Sequence, residues 1–246
     1  MALSRRACLI GAALAFIPPQ RLGAQPSGDG AHRAQIEAPI LADDPVAIPL
    51  TVSVDHPMDP DHYIRAIEVK LDTDPVPQKG VFHLTPLSGR ASVAYQIRSG
   101  QGGELGVTVE CTRHGRFQAR HPIRVEPGGC AVSPEATARE RTGKASIKAS
   151  PPRRAGEVVP VWAGLEHASH TGLVEKNGKF VPAQPPFFVE RVSVFVGGER
   201  ASEFLLTAAV SPDPKLRFFV RADPGKPVRV VFVNNRGKQW EAAQRV

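Results

Sequence analysis

Cysteine is scarce in this chain, with three residues in 246, and methionine, tryptophan and tyrosine appear twice each. Aromatic residues make up only 6% of the chain, too few for the stacking platforms that hold single-stranded nucleic acid. Beyond the N-terminal run that ends near Ile17, no apolar segment approaches the roughly 20 residues a membrane helix needs. Catalytic signatures are missing as well. There is no nucleophile elbow with a Ser/His/Asp order, no paired-carboxylate constellation, and the Gly178-Lys179 pair lacks a phosphate-loop frame. His56 and His62 stand six apart and His167 and His170 three apart, but no cysteine or carboxylate completes either pair at a familiar ligand spacing. The sequence therefore leads to the expectation of no metal, no cofactor and no enzyme.

What is present begins with Ser4-Arg5-Arg6-Ala7-Cys8-Leu9, an apolar run, and Leu22-Gly23-Ala24 before polar sequence. This is the charged, apolar and small-residue order of a secretory signal over 1–24, cleaved after Ala24. The paired arginines suit the twin-arginine route; an ordinary signal that happens to hold two arginines is the other reading. A periplasmic protein without a membrane span follows. Twenty-four prolines and 22 glycines oppose a helical fold. Apolar residues alternate with polar ones in segments near 47–54, 64–71, 81–84, 92–97, 105–111 and 117–125, the pattern of antiparallel strands. After a polar stretch, similar segments recur near 145–149, 158–165, 189–196, 203–210, 215–221 and 228–234. Asn234-Asn235-Arg236-Gly237 signals a hairpin into a last strand at Trp240. The expected architecture is all-β, with two immunoglobulin-like sandwiches over 31–130 and 145–246 and a linker over 131–144. The net charge of +7 gathers in the second half as scattered residues such as Arg217, Arg221 and Arg229. That suits small anions or an acidic partner surface.

Gly128-Gly129-Cys130 stands where the first β-rich segment ends. A thiol after two glycines sits on freely rotating backbone, so Cys130 is the cysteine placed for chemistry; an idle thiol at a turn is the bland alternative. Cys111 follows Leu105, Val107 and Val109 at period two and should point inward as a small buried hydrophobe. A Cys111–Cys130 disulfide is also conceivable in an oxidising compartment and would lock the arm.

Both halves resemble known families. Residues 47–130 are similar to SoxY, through Ile48-Pro49-Leu50-Thr51-Val52-Ser53-Val54-Asp55, Pro57-Met58, Asp61-His62-Tyr63, Phe82-His83-Leu84-Thr85-Pro86, Gly89-Arg90-Ala91 and Val125-Glu126-Pro127-Gly128-Gly129-Cys130. Residues 145–246 resemble SoxZ, through Gly156-Glu157-Val158-Val159, His167, Thr171-Gly172, Lys179-Phe180-Val181-Pro182 and Leu216-Arg217-Phe218-Phe219-Val220-Arg221-Ala222. The resemblance implies a SoxY–SoxZ fusion whose halves dock on each other. It implies that Cys130, on its Gly128-Gly129 arm, covalently carries a thiosulfate-derived or related sulfur group to periplasmic sulfur-oxidation enzymes. The departure is plain: SoxY ends in Gly-Gly-Cys-Gly-Gly, whereas here Ala131-Val132 follow and the arm continues into the second half. Fused relatives are linked with quinoprotein dehydrogenases, so a non-catalytic accessory module beside such an enzyme is the alternative.

Overall fold

The computed structural model describes residues 29–125 and 141–246. The first half lays down β1 (Ala34–Glu37), β2 (Leu41–Ala42), β3 (Ile48–Val54), β4 (Ile64–Leu71), β5 (Gln78–Leu84), β6 (Ala91–Ile97), β7 (Gly103–Cys111) and β8 (Gly115–Val125). The second adds β9 (Thr142–Ala149), β10 (Glu157–His167), β11 (Leu173–Lys176), β12 (Lys179–Pro182), β13 (Val189–Val196), β14 (Glu199–Leu205), β15 (Lys215–Ala222), β16 (Pro227–Asn234) and β17 (Gln239–Arg245). Among the described residues there is no α-helix, and hence none long and apolar enough to cross a membrane.

Alternation places the core as the sequence leads one to expect. Ile48, Leu50, Val52 and Val54 of β3 are all buried, and so are Leu105, Val107, Val109 and Cys111 of β7. With period two, one buried face per strand means two layers must close on each other. One sheet runs β1-β3-β6-β15-β10-β9 and the other β17-β16-β13-β14-β5-β4-β7-β8-β2. Each half supplies strands to both sheets and so forms its own two-layer sandwich.

The sheets also continue from one half into the other. In one, β5 pairs β14 with Leu84 opposite Ser202 and Val81 opposite Leu205. In the other, β6 pairs β15 at Val93–Phe218 and Ala94–Arg217. Phe82 of the first half and Phe204 and Phe218 of the second pack between these ladders, with successive centroids 5.4 and 5.3 Å apart. Thr85 and Ser88, in the turn after β5, both donate to the Ala201 carbonyl at 2.8 and 3.0 Å. The segments that carry the family resemblance, Phe82–Pro86 in one half and Leu216–Ala222 in the other, thus build the seam.

Several boundaries differ from the sequence expectation. The strand expected at 203–210 is β14 at Glu199–Leu205, because Gly197 and Gly198, with φ of 59° and 97°, turn the chain early. Residues 206–210 instead lean on the first half: Thr207 donates to the Gln78 carbonyl at 2.6 Å, and the Arg98 amide donates to Ala209 at 2.8 Å. β9 starts at Thr142, inside the expected 131–144 linker. The short strands β1, β2, β11 and β12 lack a long enough alternating run to be read from sequence. The hairpin at Asn234–Gly237 forms, with Gly237 at φ 77° and its amide donating to Asn234 at 2.9 Å.

Candidate functional site

At one end of the first sandwich, five potential metal ligands converge. They are His32, His56, His62, Cys111 and His114, and their donor atoms all lie within 4.8 Å of one another. The fold brings them from four places. His32 ends a 3-10 turn before β1; His56 follows β3; His62 closes a narrow loop through paired backbone bonds with Asp59 at 3.1 and 3.2 Å; Cys111 and His114 flank the turn between β7 and β8. Reciprocal bonds lace the last two segments together, the Thr112 amide to Tyr63 O at 3.0 Å and the Tyr63 amide to Thr112 Oγ1 at 3.1 Å. An Arg113–Asp61 ion pair spans the same loops.

The donor atoms face one another. His32 Nε2 is 3.2 Å from His56 Nε2 and 3.0 Å from His114 Nδ1, which is 3.2 Å from His62 Nε2. Cys111 Sγ lies 3.6 Å from both His56 Nε2 and His114 Nδ1. His56 Nδ1 is 2.6 Å from the Pro57 carbonyl, an acceptor only, so Nδ1 bears the proton and Nε2 turns a bare lone pair toward the cluster. Cys111 Sγ accepts the Arg113 amide at 3.5 Å, which fixes the sulfur toward the cluster. Desolvation, with the neighbouring His56 and His114 next, holds His62 below the usual imidazole value and so in the neutral form that ligates. His32, His56 and Cys111 are buried, His62 is half-buried and His114 is exposed, so the cluster is closed below and open at one rim. Phe117 stacks on His32 at 4.3 Å and covers it.

This overturns the expectation of no metal-ligating set. Cys111 is buried, as its strand phase requires, but it is a ligand candidate and not merely a small hydrophobe. Spacing along the chain pairs His56 with His62 and goes no further. The signal that could have extended it is Cys111-Thr112-Arg113-His114, two ligands at the ends of a tight turn. His32 joins only through the topology, which brings β1 beside β3. The other pair, His167 and His170, does not recruit a comparable set among the described residues.

Gly128, Gly129 and Cys130 lie outside the described residues, as does the 1–24 signal. The Cys111–Cys130 disulfide considered from the sequence falls outside the described residues with Cys130.

The described residues form an all-β pair of sandwiches whose strands pair across a shared seam, the two-part frame that a SoxY–SoxZ tandem implies. The family comparisons agree: residues 20–130 match the sulfur oxidation protein SoxY, and residues 147–245 match the sulphur oxidation protein SoxZ. The chain belongs to these families as a SoxY–SoxZ tandem. No curated protein matches it. Among solved structures, a superoxide reductase (neelaredoxin) from Ignicoccus hospitalis shows 30% identity over 39% of this chain and 81% of its own, with a TM-score of 0.36. A beta-glycosidase from Bacteroides vulgatus shows 10% identity over 87% of this chain and 24% of its own, with a TM-score of 0.26.

Proposed function

We infer that the protein is an exported periplasmic carrier that holds a sulfur group covalently on Cys130 and presents it to sulfur-oxidation enzymes. The observation that carries this is the end of the SoxY match on Cys130 itself, after Gly128-Gly129, with the SoxZ match resuming at residue 147. The carrier need do little chemistry. Joining its thiol to the outer sulfur of thiosulfate forms an S–S bond and gives up the thiol proton and two electrons, which a partner redox enzyme must accept. Exposure and backbone freedom are what that role asks of the residue, together with some thiolate at working pH. Thiosulfate is the substrate class argued from the family, and the enzymes that load and unload the arm belong to the same system.

Intact-mass measurement of protein recovered from its native periplasm tests this. Wild type should carry a reductant-sensitive mass increment on Cys130, and Cys130→Ser should carry none. Replacing Arg5 and Arg6 by Lys should keep the protein out of the periplasmic fraction. An unmodified Cys130, together with normal sulfur oxidation by Cys130→Ser, would sink the carrier reading. The accessory-module role beside a quinoprotein dehydrogenase would then be the one to pursue. Normal export of the double-lysine variant would remove the twin-arginine route alone.

A further inference from the structure

The five-ligand cluster belongs to no part of the carrier mechanism. Three consecutive nitrogen–nitrogen edges, His56–His32, His32–His114 and His114–His62, measure 3.2, 3.0 and 3.2 Å. A square of such edges has its centre about 2.2 Å from each corner, close to the length of a metal–imidazole bond. Its diagonal is about 4.4 Å, inside the 4.8 Å within which all five donors fall. The sulfur stands equally far, at 3.6 Å, from His56 and His114. These two nitrogens are both neighbours of His32 and so occupy opposite corners. A sulfur equidistant from opposite corners sits over the square and not in its edge.

We propose that His32, His56, His62 and His114 bind a single first-row transition-metal ion in a square plane with the Cys111 thiolate as axial ligand, leaving the sixth position open to one small anion.

Several features single out this kind of ion. Four imidazoles and one thiolate are intermediate-to-soft donors, a set that does not suit magnesium or calcium. Zinc takes four ligands in a tetrahedron, whereas five donors converge here, and the square arrangement proposed for them favours the redox-active ions from iron to copper. A cation among these ring nitrogens would take the lone pairs that the 3.0–3.2 Å contacts bring together. The tautomer of His56 is fixed by Pro57 O as second-shell contacts fix it at metal sites. Binding releases the Cys111 proton and leaves the centre with one net positive charge for a divalent ion, so an anion completes it. The open position faces away from the buried sulfur, toward the rim where His62 and His114 reach solvent.

Ferrous iron is the probe. The full mature chain, stripped of metal and loaded anaerobically, should retain one iron per chain after desalting. One-electron oxidation with ferricyanide should give a visible thiolate-to-iron charge-transfer band, which azide should shift by occupying the open position. Cys111→Ser should lose the band while keeping the β circular-dichroism spectrum. The exposed His114→Gln is the safeguard against misfolding and should weaken iron retention at least about tenfold. Sub-stoichiometric iron in the wild type, or a band that survives in Cys111→Ser, overturns the site. A band indifferent to azide overturns the open position. Cys130→Ser should leave every one of these readings unchanged, so this centre and the carrier function stand or fall separately.

Discussion

Lys79 and Asp74 are fully buried, and their side chains meet at 2.9 Å. The lysine also donates to the Arg98 carbonyl at 3.0 Å, and Asp74 takes the Ser99 hydroxyl at 2.6 Å and the Gly100 amide at 2.7 Å. Two charges withdrawn from water gain little net stability as a pair, but removing one strands the other. Arg98 extends the group to the second half by donating to the Ser169 carbonyl at 3.0 Å. Lys79→Met should therefore lower unfolding stability by about 3–5 kcal/mol, read from urea midpoints. Lys79→Met combined with Asp74→Asn should recover part of that loss. An unchanged midpoint in the single variant would mean that water or rearrangement satisfies Asp74 after all. This buried polar group thus lies where Arg98 reaches across to the second half.

At the end of β10, His167 is stacked on Phe187 at 4.2 Å, and its Nδ1 meets Ser169 Oγ at 2.9 Å. Burial pushes its pKa down from 6.5 to about 4. The folded state thus holds His167 neutral where the unfolded chain would protonate it. Its contribution is intact above about pH 6.5 and is lost as pH falls toward 4, at up to about 1.4 kcal/mol per pH unit. Urea midpoints at pH 7.5, 5.5 and 4.5 should fall more steeply for wild type than for His167→Gln; parallel curves would contradict the buried neutral form. Strands such as β3, β7 and β15 were legible because a half-buried strand writes its burial into every second residue. The ends of β14 were not, since Gly197-Gly198 moved the turn and residues 206–210 took their partners from the other half. The ligand cluster was illegible for a related reason. Each loop offers one or two donors, and only the packing of β1 on β3 and of β4 on β7 brings them to one point. Cys130 lies outside the described residues, and the role proposed for it rests on its local glycines and family order alone.

Taken whole, the molecule is two sandwiches whose sheets run through a shared seam, and the seam is expected to hold the halves together without the covalent link. A short tether raises the effective concentration of one half for the other to the millimolar range, but the β5–β14 and β6–β15 ladders and the Phe82–Phe204–Phe218 contact supply the attraction. A protease site placed within 131–140 should, once cut, leave both halves in one peak on a sizing column at micromolar concentration. Two free species would show that the tether, and not the seam, holds them. Phe204 gives the sharper test, because it is fully buried and its ring meets Phe82 across the seam. Phe204→Ala should destabilise the intact chain by about 3–5 kcal/mol through the lost transfer energy and the cavity left behind. In the cut protein the same substitution should release the halves at concentrations where the cut wild type stays whole. Exposed Leu205 lies one residue on, with its side chain on the opposite, outer face of β14. Leu205→Ala should therefore leave the cut protein associated, which separates a seam built on buried aromatic packing from one held by its backbone ladder alone.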